Sequence, residues 1–339
     1  MTTSPLRAPA GVAANPGVAG APSPAGIVIS RPCIRAAYRG IIADDMNLDG
    51  QRLSGRLDLR YEDVTQDGRV QLETMPVALG ALWKNLMGDA EVRKALREAG
   101  IIPILTRYEL EGGAGPFAVD KPIQVEGGFA LAHSVGEDGQ VARIHLDLDA
   151  ELRGPKGRTN LPRPEDAGKR ALVGRVRAEH VFTRPFAPAE ERRVVSLPVG
   201  AEPGAAVVPK TLRAFRAAKE TIETPPGARS LEPEILDDPA RLVMGLAHTD
   251  SNQHVNSLVY PRLFEDAALR RMEALGLPTG VLARKLDIAF RRPSFAGEVL
   301  KVAVRTFEHE GRIVTVGAFF GPESRDIGRA RVYAQMTFE

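Results

Sequence analysis

The feature that most limits the fold is a pattern that occurs twice: a stretch of helical periodicity, then runs in which apolar and polar residues alternate. In the second half, Tyr260, Leu263, Phe264, Ala267, Ala268, Arg271 and Leu275 recur at helical spacing, and Gly276 is suited to close the helix. Strands read at 286–290, 299–307, 313–320 and 330–338, with Glu310-Gly311 and Gly321-Pro322 as turns. The last strand sets Ala330, Val332, Ala334, Met336 and Phe338 against Arg331, Tyr333, Gln335 and Thr337, the period of a sheet with one buried face. Leu242, Met244 and Leu246 alternate before the helix and predict a strand ending near His248. In the first half, Leu79, Leu82, Trp83, Leu86 and Met87 predict a helix over 77–99 that breaks at Gly88-Asp89, with Asp89 capping a second piece that ends at Gly100. A strand at 56–64 puts Leu57, Leu59 and Tyr61 on one face, and Asp67-Gly68 turns the chain into a strand at 69–74. Further strands read at 123–134, 144–150 and 172–182, and the proline-, glycine- and charge-rich stretch 153–168 reads as a loop. A helix covering one face of an antiparallel meander is an α+β layer arrangement. The two halves share no residue-level repeat.

The boundaries follow from composition. Residues 1–26 are rich in Ala, Pro, Gly and Ser without apolar periodicity, so they read as a flexible tail. No acidic residue precedes Asp44 whereas Arg7, Arg31, Arg35 and Arg39 do, as in transit peptides, but Pro5, Pro9, Pro16, Pro22 and Pro24 oppose the amphipathic helix a mitochondrial one needs. A first unit spans 27–197 and a second 198–339, with a linker near 198–209. Across 339 residues the formal net charge is only +2, which does not imply a nucleic-acid partner. A single cysteine, Cys33, excludes an internal disulfide and fits a cytoplasmic location. No apolar run reaches membrane-spanning length. His133, His145, His180, His248 and His309 lack metal-ligand spacing, and neither a Walker loop nor a dinucleotide fingerprint is present, so no metal and no cofactor is expected.

The stretch with chemistry is Asp250-Ser251-Asn252-Gln253-His254-Val255-Asn256, between a strand and the second helix. If it is extended, Asp250, Asn252 and His254 point to one side. An imidazole can take a proton from water near neutral pH, a carboxylate can orient it, and an amide can hold water or a carbonyl oxygen. The N–H groups of the helix start can stabilise an oxyanion. Each residue taken alone also suits a turn or a helix cap; the combined spacing favours a site. Pro261 is tolerated in a first helical turn and shifts the expected helix start toward Tyr260.

This pattern, with Tyr260 after it, resembles the motif of plant- and bacterial-type acyl-ACP thioesterases and the shorter motif of 4-hydroxybenzoyl-CoA-type thioesterases. The resemblance covers 241–300 and implies two tandem hot-dog units, each a long helix wrapped by a curved antiparallel sheet. It implies hydrolysis of an acyl thioester on acyl carrier protein or CoA, in fatty-acid or polyketide-type metabolism. Asp250, Asn252 and His254 would be catalytic, and Asn256, Tyr260, Arg291 and Arg292 would meet the substrate, with Trp83 contributed by the first unit. The plant enzymes carry a Glu-Cys pair after two arginines; here Pro293-Ser294 follow Arg291-Arg292. Glu265 or Asp266 on the helix are the candidate replacements, Glu298 reads as structural, and Ser294 lacks a neighbouring histidine for a nucleophilic role. Arg270, Arg271, Arg284, Lys285, Arg291 and Arg292, opposed locally only by Glu273 and Asp287, form either a solvated face or a dock for an acidic carrier or CoA phosphates. A non-catalytic acyl-thioester-binding protein and an acyltransferase or dehydratase on the same fold stay open, as does a homodimer.

Overall fold

The computed structural model describes residues 53–86, 90–159, 162–199 and 206–339. The expected tail, Cys33, Met87 and the break at Gly88-Asp89 lie outside them. The first half holds β1 (Leu53–Leu57), a 3-10 helix at Leu72–Ala78 that runs into α1 (Leu79–Leu86), α2 (Ala90–Glu98), β2 (Ile102–Gly112), β3 (Ile123–Val135), β4 (Val141–Pro155) and β5 (Arg170–Thr183). The second holds the short strands β6 (Arg229–Ser230), β7 (Leu236–Asp237) and β8 (Leu242–Val243), then α3 (Val259–Ala274), β9 (Ala283–Phe290), β10 (Val299–His309), β11 (Arg312–Phe320) and β12 (Val332–Phe338).

The strands form one antiparallel sheet in the order β1-β3-β4-β5-β2-β9-β12-β11-β10-β6, with β7 and β8 also on β10. β2 and β9 join its halves, from Arg107 opposite Ala289 to Glu111 opposite Lys285. α1 and α3 contribute to one continuous apolar core: Leu79 and Leu82 are buried with Val125, Leu146 and Leu148, and Phe264, Ala267, Ala268 and Met272 with Val302, Val304 and Phe319. Each such large side chain contributes about 2 kcal/mol by burial. Two strand glycines sit where both the neighbouring strand's carbonyl (Asp149, Ala303) and a helix side chain come close. A Cβ on Gly127 would meet Leu82 at 2.7 Å, and one on Gly317 would meet Phe264 at 2.8 Å.

Several expected elements change. The strand foreseen at 56–64 ends at Leu57, because Asp63 draws the chain into a turn: its carboxylate accepts the Arg60 N–H at 2.7 Å and the Thr74 hydroxyl at 3.2 Å. Leu59 is buried but Tyr61 is exposed. The strand at 69–74 reduces to one Val64–Val70 bridge before the 3-10 helix begins. β2 was not legible in sequence, since Pro103 near its start and a register shift between Leu105 and Arg107 break the alternation. The strand expected to reach His248 stops at Val243, and a 3-10 turn at Leu246–His248 follows. Tyr333, placed on the polar side of the last strand, is fully buried. The chain leading into the second half covers that face: Ala218, Ile222 and Ile235 pack on Ala303, Ala318, Phe320 and Tyr333. This strap is held by ions as well, with Arg107 donating to Thr221 at 2.8 Å and to Asp287 at 2.6 Å, and Arg216 on Asp287 at 2.7 Å. Among the described residues no helix is long and apolar enough to cross a membrane.

Candidate active site

The stretch before α3 is a tight turn rather than an extended segment. Asp250 Oδ1 accepts the Asn252 N–H at 2.8 Å, the Asp250 carbonyl accepts the Gln253 N–H at 3.0 Å, and Gln253 takes φ 67°. Asp and Asn close turns through such side-chain bonds, which outweigh the extended alternative here. The Asp250 N–H donates to the His254 carbonyl at 3.1 Å, and Thr249 and Val255 form a bridge below. Alternation therefore does not align the three side chains. The turn instead brings Asp250 and His254 together across its mouth, with His254 Nδ1 3.8 Å from Asp250 Oδ1, and leaves Asn252 exposed at its tip. At 3.8 Å the pair is within ion-pair reach but longer than a hydrogen bond.

The helix start is built by Asn256. Its N–H donates to the His248 carbonyl at 2.9 Å, its side chain accepts the Leu258 N–H at 2.8 Å, and its carbonyl accepts that of Val259 at 3.0 Å. Asn256 is thus occupied in the turn that leads into α3, whose N-cap position is Leu258, and Pro261 follows inside the first turn of the helix. Tyr260 is buried, packed edge-on against Phe290 at 5.8 Å and Phe319 at 5.2 Å, and burial raises its hydroxyl above the usual tyrosine range. Those contacts make it a core residue. Tyr108 of β2 brings the first half to this corner: its hydroxyl meets Ser257, and burial raises it likewise. Trp83 is half-buried at the edge of the first half's core, its ring 5.1 Å from that of His180, whose imidazole burial pushes down to about 4.

Glu265 lies about 10 Å along α3 from Leu258 by helical rise. No hydrogen bond or ion pair connects it to the turn. It accepts the Ala283 N–H at 3.3 Å. Burial first, then repulsion from Glu73 and Asp266, push its carboxyl up to about 7 against the pull of Ala283 N–H and Arg262. Glu73, in the 3-10 helix before α1, is also raised by burial and stands 3.9 Å from Arg262. Asp266 is exposed.

The basic cluster separates into individual partners. Arg270 pairs with Asp238 at 2.7 Å, Arg271 with Glu232, Arg284 with Glu339 at 3.3 Å and Lys285 with Glu111 at 3.6 Å. Their carboxylates come from segments remote in sequence. Arg291 donates to the Gly328 carbonyl at 2.6 Å and to the Tyr333 hydroxyl at 3.3 Å. Arg292 stays exposed. Ser294 is fully buried. Glu298 is held in an ion pair with Arg331. An open groove of about 490 Å³ lined by Glu109, Glu111, Asp149, Arg175, Lys285 and Asp287 includes no residue of the turn, and its charges pair across strands.

With this geometry in place, likeness to solved structures bears on the fold. A Lactobacillus plantarum protein assigned as an oleoyl thioesterase superposes with a TM-score of 0.56 at 13% identity, covering 86% of this chain and 98% of its own. The 12:0-ACP thioesterase of Umbellularia californica does so at 0.50 and 14%, covering 85% and 97%. The fold is the hot-dog fold that these two proteins share. No family model and no curated protein matches the sequence.

Proposed function

We propose that the protein hydrolyses an acyl thioester, carried on acyl carrier protein or CoA, to the free acid. The observation that carries this reading is the Asp250–His254 pair at the mouth of a turn that opens into α3. His254 takes a proton as water adds to the thioester carbonyl, and Asp250 orients the imidazole. The Asn252 amide, exposed at the tip, donates to the oxyanion. Collapse of the intermediate breaks the C–S bond, and the thiolate leaves with the proton from His254. Glu265 is the second acid–base group: a carboxyl near 7 exchanges protons at neutral pH, and such costly placements recur at functional sites.

Residues 27–197 and 198–339 are two tandem hot-dog units on this reading, supported by α1 and α3 each entering the core against a glycine-bearing strand. Trp83 borders the acyl chain, and Arg292, exposed beside Glu323, meets the carrier. The enzyme acts in the cytoplasm, in fatty-acid or polyketide-type metabolism. A non-catalytic acyl-thioester-binding protein is the second reading, favoured by the 3.8 Å gap and by Pro293-Ser294. Release of free thiol from a panel of acyl-ACP and acyl-CoA substrates separates the two. Release that His254→Ala abolishes supports hydrolysis; tight binding without release supports the second reading.

A further inference from the structure

The loop after β9 carries no acid or thiol at the position of the plant Glu-Cys pair, yet it is tied directly to the catalytic turn. The Ser294 carbonyl accepts the Val255 N–H at 2.7 Å, and Val255 is the base of the turn that holds Asp250 and His254. The loop is closed by Glu298. Its Oε2 accepts the Phe295 N–H at 2.8 Å, while the loop exchanges backbone bonds with Met244, just past β8: Met244 N–H to the Glu298 carbonyl at 2.9 Å, and Gly297 N–H to the Met244 carbonyl at 2.7 Å. Arg331, nearly buried at the start of β12, locks this arrangement. It donates to Glu298 Oε2 at 2.5 Å and Oε1 at 3.2 Å, to the Pro293 carbonyl at 3.2 Å, and to Glu323 through Nε at 3.0 Å and Nη2 at 2.7 Å. Its own backbone is fixed by Phe319 on one side and by Arg291 on the other, at 2.9 and 2.8 Å.

We propose that Arg331 is a positioning residue for the Asp250–His254 pair, acting through Glu298 and the Ser294 carbonyl. The claim rests on the hydrolase reading above. A planar guanidinium grips a carboxylate on one side and a second carboxylate on the other while its remaining N–H reaches a carbonyl; an ammonium has the charge without that fork. Arg331 therefore sets where the Ser294 carbonyl stands. That carbonyl sets Val255, and Val255 sets the mouth of the turn. Displacing the loop by a fraction of an ångström changes the His254–Asp250 separation, which at 3.8 Å is already at the edge of direct contact.

The test compares Arg331→Lys and Glu298→Gln with Arg270→Lys, an equally bidentate arginine on Asp238 far along α3. Turnover is measured with an acyl-CoA that the unaltered protein cleaves, together with melting temperature and amide exchange at Val255. Both test variants should lower kcat roughly 10- to 100-fold with KM nearly unchanged. They should also speed Val255 exchange by about tenfold or more. Arg270→Lys should lower the melting temperature without either effect. Because Glu298→Gln keeps the acceptor for Phe295, it stays informative if Arg331→Lys folds poorly. Unchanged kcat and unchanged Val255 exchange in both would overturn the proposal. If the unaltered protein cleaves no thioester, the hydrolase reading fails separately. Val255 exchange then still decides whether Arg331 holds the turn.

Discussion

Glu265→Gln offers the most direct quantitative check on the site. In the folded chain the carboxyl titrates at about 7 rather than at its ordinary 4.5, chiefly because it is buried beside Glu73. A raised carboxyl stabilises the fold only while protonated. Its contribution is complete below about 4.5 and is lost as pH rises through about 7. That displacement corresponds to about 3 kcal/mol of strain carried by the ionised form. The glutamine is neutral at every pH and keeps an oxygen for the Ala283 N–H. At pH 4 the variant and the unaltered protein should therefore be equally stable. At pH 8 the variant should be more stable by about 2–3 kcal/mol, or roughly 4 °C in melting temperature for a chain of this size. Thermal melts followed by circular dichroism from pH 4 to 9 measure this. A variant that is less stable at pH 8, or equally stable across the range, refutes the argument that burial strains this group. In the same variant, turnover should fall by about 10²–10⁴-fold if the strained carboxyl serves proton transfer. Stability gained and activity lost together is the signature of a group kept for function.

Other outcomes follow from individual contacts. His254→Ala should lower turnover roughly 10²–10⁴-fold, and Asn252→Ala about 10²–10³-fold, with substrate binding largely kept in both; the double variant should lose less than the product of the two. Arg292→Glu should raise KM for an acyl carrier protein substrate more than for a short thioester, whereas Arg291→Glu, which breaks bonds to Gly328 and Tyr333, should mainly lower the melting temperature. Equal effects of the two on carrier KM would contradict that division. Gly317→Ala sets a methyl against the Ala303 carbonyl of β10 and 2.8 Å from Phe264, and should cost about 1–3 kcal/mol of stability in denaturant titration.

Sequence alone determined the parts of this protein that rest on local periodicity and turn chemistry. Alternation and turn residues placed β3, β5 and the last four strands within a few residues and found the middle of β4, which runs on to Pro155; that the strap buries the second face of β11 as well was not legible. Helical spacing and Gly276, at φ 69°, marked the C-terminal end of α3 closely: the helix ends at Ala274, with Leu275 at its C-cap and Gly276 just beyond. The pattern at Asp250, Asn252, His254 and Asn256 drew attention to the corner where the first half meets the start of α3, through Tyr108 and Ser257. What alternation could not convey was that these residues close a turn on themselves, since Asp250 bonds its own backbone two residues on. Charge was still less legible. The six cations around α3 formed a cluster in sequence only; Glu232, Asp238, Glu339 and Glu111, all from distant segments, neutralise four of them in space. The buried face of Tyr333, the strain on Glu265 imposed with help from Glu73, and the grip of Arg331 on the loop after β9 were likewise decided by the tertiary structure. Each depends on which surface is excluded from water and which charges face one another across the sheet. Those are properties of the assembled chain, because desolvation and long-range pairing come into being only when remote segments meet.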